Sequence, residues 1–228
     1  MKRLNSIITL FLLAAVSLRA QECKVYVPST VGMEVELTTF DKKDKPISIM
    51  KQTLKDIYQS GDSTVYLIHQ IFTDEKGKNP RENNFRFKCL GETFYIDMST
   101  MIDQKTLDSY KDMEMKMTTD NLDFPSNLSK GQKLNDGFVK LEVVSGPIPI
   151  TILINVNNRV VEDFEDVTTT AGTFSCVKIS QDTQGSFGFI KTNFHSLGWY
   201  SEKIGIIRSE TYRQGKLENY MVLTGIKK

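Results

Sequence analysis

Apolar and polar residues alternate along most of this chain, and residues that favour turns recur roughly every ten positions. Met33, Val35 and Leu37 form one such run, and the charged segment 41–46 separates it from the next apolar residues. A period of two places successive side chains on opposite faces of a strand, whereas an amphipathic helix repeats about every 3.6 residues. Helical spacing is almost absent, so the pattern predicts an all-β protein with mainly antiparallel strands.

Several of the predicted strands are apolar on both faces, and residues 65–72 and 150–156 are the clearest cases. A strand of this kind is covered on both sides or lines an enclosed space. A short helix is predicted over residues 101–110, where no Gly or Pro interrupts the apolar spacing. We therefore expect a strongly curved sheet, a half-barrel or a sandwich, of about ten strands with about one or two short helices.

The N-terminus resembles a secretory signal. Two basic residues precede an apolar run over 7–16, and the chain then becomes polar. This order predicts a signal peptide over residues 1–20, removed by cleavage between Ala20 and Gln21. A transmembrane anchor is disfavoured, because the run is shorter than the roughly 20 apolar residues that span a bilayer. We expect the mature protein to be exported, either to the periplasm or to the extracellular space.

The three cysteines, Cys23, Cys89 and Cys176, all lie beyond the predicted signal peptide. An oxidising compartment favours one disulfide and one free thiol, although three buried thiols also fit and the sequence does not choose the pair. Lipidation of Cys23 is an alternative. It is disfavoured because Glu22 stands where a lipoprotein signal has a small residue.

Residues 21–228 are expected to form a single β-rich domain. Residues 122–134 include Pro125 and Gly131, and they predict a loop that separates the chain into halves of comparable length. Each half could hold a small core, so a two-half organisation stays open. We favour one continuous sheet.

The sequence contains no recognisable catalytic or cofactor motif. His69 and His195 stand outside any metal-binding spacing, and neither a Walker loop nor a G-x-G-x-x-G is present. We therefore expect no cofactor and no metal site. A nucleophilic pair of Cys176 and His195 could meet in space, but the thiol lies within an apolar strand. The sequence favours a protein that is not an enzyme, without deciding the question.

Charge does not identify a partner. Lys and Arg number 29 against 28 Asp and Glu, and neither sign forms a long run. Binding to nucleic acid is therefore disfavoured, because it needs a basic patch. The partners that remain are an apolar small molecule or a protein of the cell envelope.

An apolar ligand would contact large side chains on a concave sheet face. Phe85 and Phe87 share one strand face, and Met113, Met115 and Met117 alternate with charged residues, so their sulfur atoms share another. Thioether clusters can bind Cu(I). Packing is the favoured interpretation, since methionine commonly fills apolar layers and no His or Cys stands beside these residues. We take these five residues as candidate ligand contacts.

Three segments resemble a known family. They are residues 171–176 (AGTFSC), 199–210 (WYSEKIGIIRSE) and 215–224 (GKLENYMVLT). All three are similar to segments of the TapB-like proteins, an exported family of unknown function in Bacteroides-type bacteria. The resemblance implies an all-β exported protein, and it carries over no catalytic or binding residue.

The segment 199–210 also has a physical interpretation. A glycine within a strand marks a bulge, a bend or a close backbone approach, and Trp199 and Tyr200 supply large rings that can close a core. The alternative is that Trp199, Tyr200 and Arg208 line a ligand site. We therefore add these three to the candidate contacts.

Two functional hypotheses follow. The first is a binding module that holds an apolar or small-molecule ligand on a concave sheet face in the cell envelope. The second is a structural or protein-interaction domain whose core is filled and whose outer face or edge strands meet a partner. The first is slightly favoured, because several strands are apolar on both faces and few helices are predicted to cover them.

Overall fold

The computed structural model describes residues 23–144, 150–188 and 190–228. The predicted signal peptide and its cleavage site lie outside the described residues. Within them, thirteen strands form one sheet in which neighbouring strands run antiparallel, so the predicted all-β class is confirmed. Along the sheet the order is β6-β8-β9-β10-β11-β12-β13-β1-β2-β3-β4-β5-β7.

The strands are β1 (Glu34–Asp41), β2 (Pro46–Ser60), β3 (Ser63–Asp74), β4 (Arg81–Leu90), β5 (Thr93–Ile96), β6 (Glu114–Asp120), β7 (Leu122–Pro125), β8 (Gly137–Val144), β9 (Ile150–Thr169), β10 (Gly172–Phe187), β11 (Ile190–Ser201), β12 (Gly205–Arg213) and β13 (Lys216–Lys227). A 3-10 helix (Met98–Met101) and the α-helix α1 (Gln104–Ser109) stand between β5 and β6.

The two short helices begin at aspartate caps. Asp97 Oδ1 accepts a hydrogen bond from the backbone N–H of Ser99, and Asp103 Oδ1 accepts one from that of Thr106. Such caps satisfy N–H groups that have no partner within the helix. The helix expected over 101–110 is thus present as α1, with a 3-10 turn before it.

Strands β9 and β10 are the longest, with 20 and 16 residues. Their register shifts between Lys178 and Ile179 and again between Ser180 and Asp182. A bulge bends its strand and increases the local twist. The long hairpin can therefore curve with the sheet and bury side chains from both of its faces.

The sheet is nearly closed on itself. Its two edge strands, β6 and β7, are separated in sequence by Asn121 alone. The segment that follows β7 then lies along β9, where Gly131 N–H donates to the Val161 carbonyl at 2.8 Å and Leu134 N–H donates to the Arg159 carbonyl at 3.0 Å. The edge of the sheet formed by β7 is thereby connected to β9, which lies near the opposite edge.

The expected loop at 122–134 is corrected in part. Its first four residues form β7, which pairs with β5, so that Phe124 lies opposite Phe94. Pro125 is the last residue of an edge strand, a position where a missing N–H breaks no ladder hydrogen bond. Residues 126–136 connect β7 to β8, and the sheet runs on through both halves of the chain.

The core comprises three apolar clusters. The first fills the interior near β2, β3, β4 and β5, and the second packs β1 against β10, β12 and β13. The third is covered by the helical segment, whose Met98 and Ile102 pack with Val139, Leu141 and Val143 of β8. The alternating burial along β8 matches the period expected of a strand with one buried face.

The N-terminal segment, residues 23–33, precedes β1 and crosses the interior of the sheet. A disulfide joins Cys23 to Cys89 of β4, and Cys176 remains as a buried thiol. Val25, Tyr26 and Val27 are buried, and the Val25 carbonyl accepts a hydrogen bond from Lys203 N–H at 2.6 Å. The segment is therefore part of the core.

Candidate ligand cavity

A cavity of about 370 Å³ lies inside the curved sheet. This volume falls in the range of small-molecule sites, which begins at ~300 Å³. Strands from most of the sheet contribute to it, because each places every second side chain on the concave face. The lining side chains include Tyr26, Met50, Gln52, Gln70, Phe85, Phe87, Phe94, Ile96, Met101, Phe124, Val156, Gln181, Thr183, Phe194, Tyr200 and Met221.

Contacting aromatic rings form one wall of the cavity. The ring centroids of Phe87 and Phe94 are 5.7 Å apart and stacked, and Phe94 meets Phe124 edge to face at 6.0 Å. Phe124 in turn lies 5.3 Å from both Tyr26 and Tyr200. Rings held against one another in this way make a rigid apolar surface. Burial raises the pKa of Tyr26 and of Tyr200, so both hydroxyls stay neutral.

Polar side chains form a second part of the lining. Gln52 of β2 lies directly opposite Gln70 of β3, and Gln181 and Thr183 are two residues apart on β10. Among the described residues, none of these four side chains hydrogen bonds to another protein group. Their donors and acceptors are therefore available to whatever occupies the cavity.

A buried ion pair supports the wall from behind. The Arg159 side chain is 0% exposed, and its Nη1 donates to Asp123 Oδ1 at 3.1 Å and to the Asn135 carbonyl at 2.7 Å. Its Cζ lies 5.1 Å from the centroid of the Phe124 ring. Burial lowers the pKa of Arg159, yet a guanidinium stays protonated in proteins. The pair links β7 to β9 and so holds the ring of Phe124, on β7, in position.

Glycine is required where the N-terminal segment meets β12. Gly205 has a φ of +106°, and a Cβ at this position would lie 3.2 Å from the Tyr26 carbonyl oxygen. A side chain here would be strained by the backbone conformation and crowded by the segment that lines the cavity. Of the three features expected of the glycine in the 199–210 motif, a bulge, a bend or a close backbone approach, the close approach is found here.

The sequence pattern of the DUF3108-like family matches residues 30–223, which is most of the chain and includes the cavity strands. The chain belongs to the DUF3108-like family. No curated protein matches this DUF3108-like chain. None of the helices among the described residues is long and apolar enough to cross a membrane.

Two solved structures share the fold of this DUF3108-like protein. One is described as a candidate exported protein with a YmcC-like fold from Bacteroides fragilis; it is 22% identical with a TM-score of 0.71, over 90% of this chain and 100% of that one. The other is described as a candidate lipoprotein from Parabacteroides distasonis; it is 19% identical with a TM-score of 0.71, over 91% and 100%.

The candidate contacts named from the sequence fall in different places on this DUF3108-like fold. Phe85, Phe87 and Tyr200 line the cavity.

Trp199 does not line the cavity. Its ring lies between Lys178 Nζ, at 4.7 Å from its centroid, and Arg208 Cζ, at 5.8 Å. Arg208 Nη2 donates to Glu210 Oε1 at 2.7 Å. Trp199 and Arg208 therefore belong to a group of mutually paired side chains outside the cavity.

The three methionines lie away from the cavity as well. Met115 and Met117 are on the edge strand β6, all of whose residues are exposed, and Met113 directly precedes it. Across the described residues, no cluster of three or more His, Cys, Asp or Glu side chains could hold a metal ion. The alternation correctly placed the sulfur atoms along a strand, but the exposure of that strand depends on its position at the sheet edge.

The candidate nucleophile does not have the properties of one. Burial raises the pKa of the Cys176 thiol to about 12, so the thiolate is scarce at neutral pH. Its hydrogen-bond acceptor is the Phe174 carbonyl at 3.3 Å, whereas His195 Nδ1 is paired with Asp182 Oδ1 at 2.8 Å. The two side chains do not form a dyad in this structure.

The sequence pattern did not identify the polar part of the lining. Gln52 and Gln181 sit in alternating runs, where a polar residue is ordinarily taken as facing solvent. Gln70 gave a usable signal, because it lies within residues 65–72, which are apolar on both faces. A glutamine inside such a strand has no solvent face to occupy.

Proposed function

We propose that this DUF3108-like protein is an exported binding module, not an enzyme, that holds a small apolar ligand inside its curved sheet. The observation that carries the proposal is the internal cavity, which has an aromatic wall and a size suited to a small molecule. A core that only stabilises a fold is normally packed to the density of an organic crystal. An internal space of this size, bounded by a fixed wall, fits a carrier better.

Export is part of the proposal. The predicted signal peptide over 1–20 would direct secretion, and the Cys23–Cys89 disulfide is stable in the oxidising compartments outside the cytoplasm. We propose that residues 21–228 are the mature protein and form one β-rich domain in the periplasm or outside the cell. We also propose that this chain is one of the TapB-like proteins, which its three sequence segments resemble.

The disulfide also argues for an unanchored protein. A lipoprotein anchor needs the thiol of its first mature cysteine, and Cys23 Sγ is bonded to Cys89 Sγ. Cys23 therefore cannot be lipidated while this disulfide is intact. One of the two similar structures is described as a candidate lipoprotein, and at 19% identity that likeness shows a shared fold alone.

A cavity-blocking substitution tests the binding module. Val156 lines the cavity, and Val144 of β8 is exposed, so Val156→Phe and Val144→Phe add the same atoms inside and outside it. We expect the wild type and Val144→Phe to bind the apolar dye 1-N-phenylnaphthylamine saturably. Val156→Phe should bind at least ~10-fold more weakly, because the added ring occupies the site.

Circular dichroism and thermal unfolding of both variants provide the folding control. Equal dye binding by folded Val156→Phe and Val144→Phe, or no saturable binding to the wild type, would overturn the proposal. The second result would favour the alternative function, a structural or protein-interaction domain of the envelope. The exposed edge strand β6 is the feature that supports this alternative, because an unpaired edge can bind another strand.

A further inference from the structure

We infer that the ligand is an uncharged amphiphile, with an alkyl or ring body and a hydroxyl or amide group, and that Gln52 and Gln70 bind its polar group. This inference rests on the proposed function and narrows it to a chemical class. The body would lie against the aromatic wall, and the polar group would lie at the paired glutamines.

The two glutamines occupy core positions. Gln52 is 8% and Gln70 is 6% exposed, and the two face each other across β2 and β3. Each carboxamide has two N–H donors and an acceptor oxygen. Within the described residues neither side chain has a protein hydrogen-bond partner, although both line the cavity. Neither carboxamide is among the fully enclosed, unpartnered polar atoms of the described residues, so both amides open into the cavity, where a ligand or water can pair with them.

A second pair of polar side chains lies on a distant part of the sheet. Gln181 and Thr183 also line the cavity without side-chain partners among the described residues, and β11, β12, β13 and β1 separate their strand from β2. Two separate groups of neutral donors and acceptors therefore face the same space. This arrangement suits a ligand that carries a polar functional group. A pure hydrocarbon would leave both sets of polar side chains without a partner.

Charge in the cavity argues against an ionised ligand. No Lys, Arg, His, Asp or Glu is among the described residues that line it. Arg159, the buried cation behind Phe124, is already paired with Asp123. A carboxylate or phosphate brought into this site would lose its hydration without gaining a counter-charge, which is strongly unfavourable. Fatty acids and phospholipid headgroups are therefore poor candidates.

The test compares 1-decanol with decanoate, which have alkyl chains of the same length, and uses the dye 1-N-phenylnaphthylamine as the reporter, at about pH 8, where a carboxylic acid is ionised. Competition for the dye gives the affinities of the first two. We expect the wild type to bind decanol at least ~10-fold more tightly than decanoate. Gln70→Leu should weaken decanol binding roughly 5-fold and leave dye binding unchanged or stronger, since only the hydrogen bond is lost.

Gln184→Leu is the matched control, because Gln184 is exposed on β10 and the same atoms are replaced. Gln52→Leu is the second variant should Gln70→Leu fold poorly. Decanoate binding as tight as decanol binding would overturn the inference while leaving the apolar carrier intact. If Gln70→Leu and Gln52→Leu both kept the wild-type preference for decanol over decanoate, the proposed role of Gln52 and Gln70 would be overturned. Failure of all three probes to bind would overturn the proposed function itself.

Discussion

Several residues that form or support the cavity are polar, and the alternation of the sequence does not reveal that they are buried. The alternation identified Phe85, Phe87 and Tyr200, because large rings on one strand face usually point to the interior. It could not identify Arg159 as a buried residue, since a charged side chain in an alternating strand is normally exposed. Its burial is possible only because Asp123, which is 36 positions away, is brought alongside it by the closure of the sheet.

The Arg159–Asp123 pair gives a prediction of stability. Asp123→Ala should lower the free energy of unfolding by about 3–5 kcal/mol, because it leaves a buried guanidinium without its counter-charge. The double variant Arg159→Met with Asp123→Leu should recover most of this loss, since both charges are then removed. Chemical denaturation measures the free energy of unfolding of the wild type, Asp123→Ala and the double variant. A single variant as stable as the wild type would show that the pair does not hold β7 to β9.

Gly205 gives a second prediction at this scale. Gly205→Ala should lower stability by about 1–3 kcal/mol, because alanine at a positive φ is strained and its Cβ would crowd the Tyr26 carbonyl. Gly225→Ala is the control, since a Cβ there meets Glu36 at an ordinary 3.7 Å. Equal thermal stability of the two variants would contradict the close approach of the N-terminal segment.

Most strands could be predicted from the sequence, whereas the short edge strand β7 could not. Strands such as β3 and β8 bury alternate or continuous apolar residues over many positions, so the pattern is clear. β7 has 4 residues, as many as its partner β5, but its residues show no clear period and it ends at a proline that resembled a loop signal. The two strands exist because they pair with each other and carry Phe94 and Phe124 into the aromatic wall.

The N-terminal segment is the element whose role depends most on a covalent bond. The Cys23–Cys89 disulfide closes a sequence separation of 66 residues. Replacing both cysteines by alanine should lower the free energy of unfolding by about 2–4 kcal/mol and loosen the segment that carries Tyr26. Added reductant should destabilise the wild type and leave the double variant unchanged. The prediction would be wrong if the fully reduced wild type were as stable as the oxidised protein.

At the scale of the whole molecule, curvature and closure produce the cavity. The alternation predicted a strongly curved sheet, but the number of strands and the joining of its two ends depend on contacts between distant segments. The strand order brings β6 and β7 to opposite edges, and the segment after β7 then pairs with β9. The same closure that forms the interior leaves the exposed methionines of β6 outside it, which is why strand periodicity alone could not separate the two sets of candidate contacts.

Native mass spectrometry of the mature protein, purified gently from its own envelope, shows whether a ligand occupies the cavity. We expect a reproducible small, neutral adduct on the wild type and on Val144→Phe, and its loss from Val156→Phe. The same spectra report the two-dalton loss of the Cys23–Cys89 disulfide. A bare protein mass for the wild type under several mild detergent conditions, or an adduct that Val156→Phe retains in full, would contradict an internal ligand site.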